Sequence, residues 1–202
     1  MTRRRARSGR SGVTAAACVG VVAVALALGG CGSKASGAPT AATYGSSWGQ
    51  FSAAFPSTAK PATATQMLEI GRQFPHVSES VAFYVSPSKQ DIFAANSDVP
   101  PPPTDAVLVM RFTSASDIST IMSDLQSHLT GVTKVTVNGN AGLRILGPTS
   151  SSPFAQGTKI TDKNTFLGAL LLQHGNVLYE AESVTTSLAE ASSFLSSIKP
   201  LT

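Results

Sequence analysis

Glu180 and Glu182 are the side chains whose type and spacing come nearest to a chemical device. They stand two apart in an alternating apolar run, so on a strand both carboxylates leave the same face, roughly 7 Å from one another. Carboxyl groups at that separation match, in distance, the pair of an inverting glycoside hydrolase. Two acids on one strand point the same way, however, and cannot easily flank a bond from opposite sides. The simpler expectation is a solvated or ion-paired strand face, with Arg144 or Arg111 of neighbouring strands as the partner. The histidines offer less: His76 follows a proline, His128 borders a helical stripe and His174 sits in a hairpin turn, so no metal-ligand spacing is present. The chain has no Gly-x-Ser-x-Gly elbow, His-Glu-x-x-His pair, phosphate-cradling glycine loop or EF-hand pattern. Without a nucleophile and base set, the sequence predicts a non-enzymatic protein with no cofactor and no metal. A cell-wall-directed hydrolase using Glu180 and Glu182 is the alternative.

The elements that would position these residues are legible from periodicity. Trp48, Phe51 and Phe55 fall at helical spacing before Pro56, and Ala64, Met67, Leu68, Gly71 and Phe74 share a face before Pro75. Val81, Phe83 and Val85 alternate as in a half-buried strand. Alternate residues from Ala106 to Phe112 are apolar on both faces for most of the run, as in a strand covered on two sides. Ile118, Ile121, Met122, Leu125 and Leu129 form the most regular apolar stripe, with Ser114 and Asp117 spaced as a capping box. Asn138-Gly139 between alternating runs predicts a tight hairpin, and a second hairpin turns at His174-Gly175-Asn176. The closing helix carries Leu188, Ala191, Leu195 and Ile198 on one face, with a capping box of Ser187 and Glu190. Two irregular stretches interrupt this pattern: one ends in four prolines, Pro100 to Pro103, which favour a stiff extended segment, and the other holds an exposed candidate, Phe154. The segments Val107 to Leu129 and Val177 to Lys199 echo each other at an offset of 70, which is either convergence or a duplicated unit. Hairpins with helices between and after them predict a single α+β domain, an antiparallel sheet of about six strands with helices packed mainly on one face.

The beginning of the chain carries a different signal. Arg3, Arg4, Arg5, Arg7 and Arg10 precede an uncharged run from Val13 to Leu28, and Leu28-Gly29-Gly30-Cys31 closes it. This resembles the lipobox signal peptide of bacterial lipoproteins, with an actinobacterial character, although Gly29 stands where Ala or Ser is commoner. The resemblance covers the first 31 residues. It implies that Cys31 accepts a diacylglyceryl (palmitate-type) anchor after cleavage. The apolar run is short of the roughly 20 residues that span a bilayer, which disfavours a permanent transmembrane helix. Ala25-Leu26-Ala27 offers a site for cleavage without lipidation. Export by the twin-arginine route fits poorly, since Arg5-Ala6-Arg7 lacks the hydrophobic pair that usually follows the arginines. The expected organisation is a signal peptide over residues 1–30, the lipidated Cys31 and a flexible tether over 31–47, and an α+β domain over 48–202. The end of the chain, from Gly175 to Ile198, is similar to the close of small α+β domains in lipoproteins and extracellular sensor domains. The paired cysteines common in those sensor domains are absent, and no residue role is carried over.

Removing the leader changes the meaning of the charge. The chain has 15 Lys+Arg and 11 Asp+Glu; five of the arginines belong to the leader, leaving ten cations against 11 anions, a net charge of −1. These cations are scattered singly, which excludes a nucleic-acid partner tracked by a basic stripe. Both cysteines, Cys18 and Cys31, fall within the leader and its lipid site, so the domain is expected to hold together without a disulfide. Function is therefore expected at the extracytoplasmic face of the cell membrane. There the lipid anchor at Cys31 holds a binding module of the cell envelope, its ligand being a small molecule, a lipid or another envelope protein.

Overall fold

The computed structural model describes residues 39–74, 76–86, 104–148 and 165–201. Cys31, the proline run and Phe154 lie outside the described residues. The described residues build ten strands and three helices in the order β1 (Ala42–Ser46), β2 (Gly49–Ala53), β3 (Lys60–Pro61), α1 (Ala64–Gln73), β4 (Val77–Val85), β5 (Thr104–Phe112), α2 (Ala115–His128), β6 (Thr133–Val137), β7 (Asn140–Pro148), β8 (Phe166–His174), β9 (Val177–Thr185), α3 (Leu188–Ser197) and β10 (Lys199–Leu201).

Seven strands form one antiparallel sheet in the order β3-β4-β5-β9-β8-β7-β6, and β1-β2-β10 form a second, smaller sheet. The α+β class and the antiparallel sheet with helices against it are as the patterning predicts. Two of the three helices, α1 and α2, share a face. There Met67, Ile121 and Met122 join the buried Leu108, Met110, Phe112, Ile118, Leu125, Leu143, Leu171 and Leu178. The third, α3, lies on the opposite face with the small sheet, where Phe51, Phe55, Val107, Val109, Leu172, Tyr179, Phe194 and Leu195 form a second core. Aromatic rings tie that sandwich together, for example Phe55 against Phe194 with centroids 5.1 Å apart and Phe51 edge-on to Tyr179 at 6.4 Å. The helix α3 approaches β8 closely because Gly168 has no side chain. A Cβ there would stand 2.8 Å from the Leu195 side chain.

Local chemistry explains most boundaries. Asn138 and Gly139 both take positive φ, 50° and 78°, as the tight β6-β7 hairpin requires. Helix α1 carries a complete capping box: the Thr63 N–H donates to Gln66 Oε1 at 2.8 Å and the Gln66 N–H donates to Thr63 Oγ1 at 3.4 Å. At α2, Ser114 Oγ instead accepts from the Ser116 N–H, with Asp117 left to favour the positive end of the first turn.

Three expectations are corrected. Trp48, Phe51 and Phe55 are not helical, because residues 42–53 form the β1-β2 hairpin with Trp48 in its turn, and Phe51 and Phe55 are buried beneath it. The spacing of three and four that suggests a helix arises here across a turn and a strand end. Residues 42–46, expected in the tether, are therefore part of the fold. Leu68, counted in the apolar face of α1, is 65% exposed.

Candidate functional site

Strand β9 is central in the main sheet, between β5 and β8, and all nine of its residues are buried. Alternation sends Val177, Tyr179 and Ala181 toward α3 and the small sheet. Leu178, Glu180, Glu182 and Val184 go toward the face covered by α1 and α2. The two glutamates thus stand side by side in the middle of an aliphatic surface. In register, Glu180 lies between Leu108 of β5 and Leu171 of β8, and Glu182 lies between Ala106 and Ala169. Glu180 is 7% and Glu182 8% exposed.

This overturns the expected solvated or ion-paired face. Arg111 pairs with Glu79 at 3.0 Å on the exposed edge of β4 and β5. Arg144 faces the other side of the sheet, where its Nη2 donates to Ser192 Oγ of α3 at 2.8 Å. Among the described residues no donor bonds either glutamate. Lys60 and Lys134 share their face but lie at its two borders, each three strands from β9, on the order of 14 Å away at the spacing of paired strands. Burial pushes the Glu180 carboxyl up to about 7, and burial together with the neighbouring Glu180 raises Glu182 well above the ordinary range. Burial and the closeness of two like charges both favour the protonated forms, so the pair holds its protons to higher pH than free carboxyl groups do.

A second acidic group lies on the opposite face, at the end of the sheet where β5 begins and β9 ends. The Ser183 hydroxyl donates to Asp105 Oδ1 at 2.6 Å, and the Thr185 hydroxyl donates to Glu190 Oε2 at 2.7 Å. Burial raises Asp105 to about 6; the Ser183 bond works against this and the nearby Glu190 with it. Glu190 is thus turned toward Thr185, while its N–H donates the capping bond to Ser187 Oγ at 3.3 Å. The sequence reading missed this group because Asp105 and Ser183 meet only through the pairing of β5 with β9.

The histidines do not converge. His128 Nδ1 lies 2.8 Å from the Asp124 carbonyl, His174 Nδ1 lies 2.8 Å from Asn140 Oδ1, and His76 contributes its carbonyl to the Thr113 N–H. Among the described residues no three His, Cys, Asp or Glu side chains could hold a metal ion together.

The geometry defines an α+β protein with an antiparallel sheet that carries a desolvated carboxylate pair on its central strand. No protein-family model matches the sequence, and no curated protein does. A crystal structure of a protein from Bacteroides thetaiotaomicron superposes with a TM-score of 0.38 and 12% identity over 75% of this chain and 45% of that one. The chain thus spans less than half the length of that protein, and so slight a likeness fixes neither a shared fold nor a shared function.

Proposed function

We propose that the protein is a cell-envelope lipoprotein, anchored through Cys31 at the extracytoplasmic face of the membrane, whose domain binds a small molecule rather than catalysing a reaction. The lipobox-like leader supports the placement. The observation that supports binding is the pair of largely buried carboxylates on the central strand, to which no donor bonds among the described residues. A polar group withdrawn from water without a partner costs roughly 1–3 kcal/mol, more when ionised, and a protein core gains nothing from two of them side by side. A ligand that bonds them would remove that cost.

Hydrolysis of cell-wall oligosaccharides is the second reading, and one observation favours it: a carboxyl kept protonated near neutrality suits a general acid. Against it stands the common direction of two side chains on one strand, which leaves a glycosidic bond unflanked. Native mass spectrometry of the full-length protein purified from its expressing cells should show a bound small molecule, absent from the E180Q/E182Q variant. Incubation with cell-wall oligosaccharides should give no turnover. Hydrolysis by the wild type that is lost in either single Gln variant would replace binding with catalysis.

A further inference from the structure

We infer that the protein presents one end of its main sheet to the lipid bilayer, the end at which β4 and β9 finish and β5 begins, and turns its hairpin end away. This rests on the Cys31 anchor proposed above and adds the orientation of the domain. Ala42, where β1 starts, is eleven residues on from Cys31. Even fully extended, that length of chain reaches at most about 40 Å. Strand β9 alone, with nine residues, is about 30 Å long. To lay the hairpin end on the membrane, the link would have to spend most of its reach running back along the sheet, on a nearly straight path. The opposite orientation leaves it many paths, and chain entropy favours that one.

The point at which the anchor pulls is fixed to the domain. Ala42 pairs with Ala53, and two residues on, the Tyr44 ring stacks on Phe51 at 5.6 Å, meets Phe55 edge-on at 5.1 Å and packs at a tilt on Phe83 of β4 at 5.4 Å. The seating of the small sheet tells which end this is. At the β1-β2 turn, Gly49 lies against Val109 and against Val177, the residue that opens β9 after the His174-Gly175-Asn176 turn; a Cβ there would stand 2.8 Å and 3.7 Å from their side chains. Two residues from the turn, Tyr44 and Phe51 have reached Phe83, the register partner of Val107. Two more in the same direction bring Ala42 and Ala53 to the level of Val85 and Asp105. The opposite end gathers the tight turns and the start of α2: His174 Nδ1 lies 2.8 Å from Asn140 Oδ1 beside the Asn138-Gly139 turn, and Gln173 Nε2 donates to the Ala115 carbonyl at 3.1 Å. Charge does not set the orientation. Lys60 and Lys199 are exposed at the membrane-facing end, but Asp105 and Glu190 offset them there among the described residues.

With the leader removed and Cys31 acylated, the chain has no other thiol, so a single introduced cysteine can be labelled. The test places a donor dye on Lys60→Cys, Lys199→Cys, Ala115→Cys or Thr136→Cys, all exposed positions, of the protein expressed at full length and purified with its lipid. Each is added to phosphatidylcholine vesicles, with or without phosphatidylglycerol, that carry acceptor dye on their headgroups. Energy transfer should be stronger by at least about twofold from positions 60 and 199 than from 115 and 136 in both lipid mixtures, as a height difference approaching the strand length requires. Inserting about twenty Gly/Ser residues between Gly37 and Ala38 should bring the two pairs to equal transfer. Equal transfer with the native link, a reversed order, an order seen only with phosphatidylglycerol, or an order that survives the insertion would overturn the inference. The two readings fail separately. Protein that stays free of the vesicles, as Cys31→Ala should, would end the anchor and the orientation together, whereas attached protein with equal transfer from both ends would keep the anchor and refute the orientation.

Discussion

At the scale of single residues, the buried acids make stability depend on pH in an unusual direction. An unfolded chain releases a glutamate proton near 4.5, whereas the folded state holds the Glu180 proton up to about 7. Between those values the folded state binds more protons, so stability is full below pH 4.5 and is lost as pH rises through 7. Asp105 acts with the same sign between 3.8 and about 6, and the loss from Glu182 extends further upward. For Glu180 alone the loss is on the order of 3 kcal/mol. We therefore expect the urea unfolding midpoint of the wild type to fall from pH 4.5 to pH 8, and E180Q/E182Q to fall less and to exceed the wild type at pH 8. A flat or rising wild-type profile would mean that the pair is bonded or hydrated in solution.

At the scale of elements, the two strand-and-helix units show how identical local rules diverge. Helices α2 and α3 each follow their strand after a two-residue link. The last residue of β5, Phe112, points to the α2 side, and the last residue of β9, Thr185, points to the α3 side. The helices therefore cover opposite faces of adjacent antiparallel strands. The echo at an offset of 70 is out of register by three, since the strand ends and helix starts lie 73 residues apart: Ile118 is fully buried, while Leu188 is 43% exposed. This difference predicts unequal costs for similar truncations. Leu125, 4% exposed in the core between α2 and the sheet, should cost about 2–5 kcal/mol as Leu125→Ala in denaturant unfolding. A cost below about 0.5 kcal/mol, the range of an exposed site, would show that α2 does not pack on the sheet through this stripe.

At the scale of the whole molecule, the main sheet is a middle layer with a core on each side, closed on one side by α1 and α2 and on the other by α3 and the small sheet. Among the described residues no helix is long and apolar enough to cross a membrane. Under the proposed anchor, membrane attachment resides in Cys31 and the domain is held to it by a short link. Cys31→Ala should accordingly move the protein from the membrane to the soluble fraction after cell breakage. Retention in the membrane with the leader removed would place the attachment elsewhere in the chain.

Features that depend on neighbours along the chain were legible in the sequence. Asn138-Gly139 marked a hairpin because its backbone angles suit few other residues, and the stripe from Ile118 to Leu125 marked α2 because its spacing matches 3.6 residues per turn. The shared direction of Glu180 and Glu182 followed likewise from the period of a strand. Their burial did not, because it depends on β5 pairing with β9 across more than 60 residues of sequence and on α2 covering that face. The same two acids on an edge strand would be solvated and unremarked. The sequence by itself determined which residues travel together on a face, since that is set by local backbone geometry. Only the tertiary structure decided which face is withdrawn from water, and with it the raised pKa values that make this pair a candidate site.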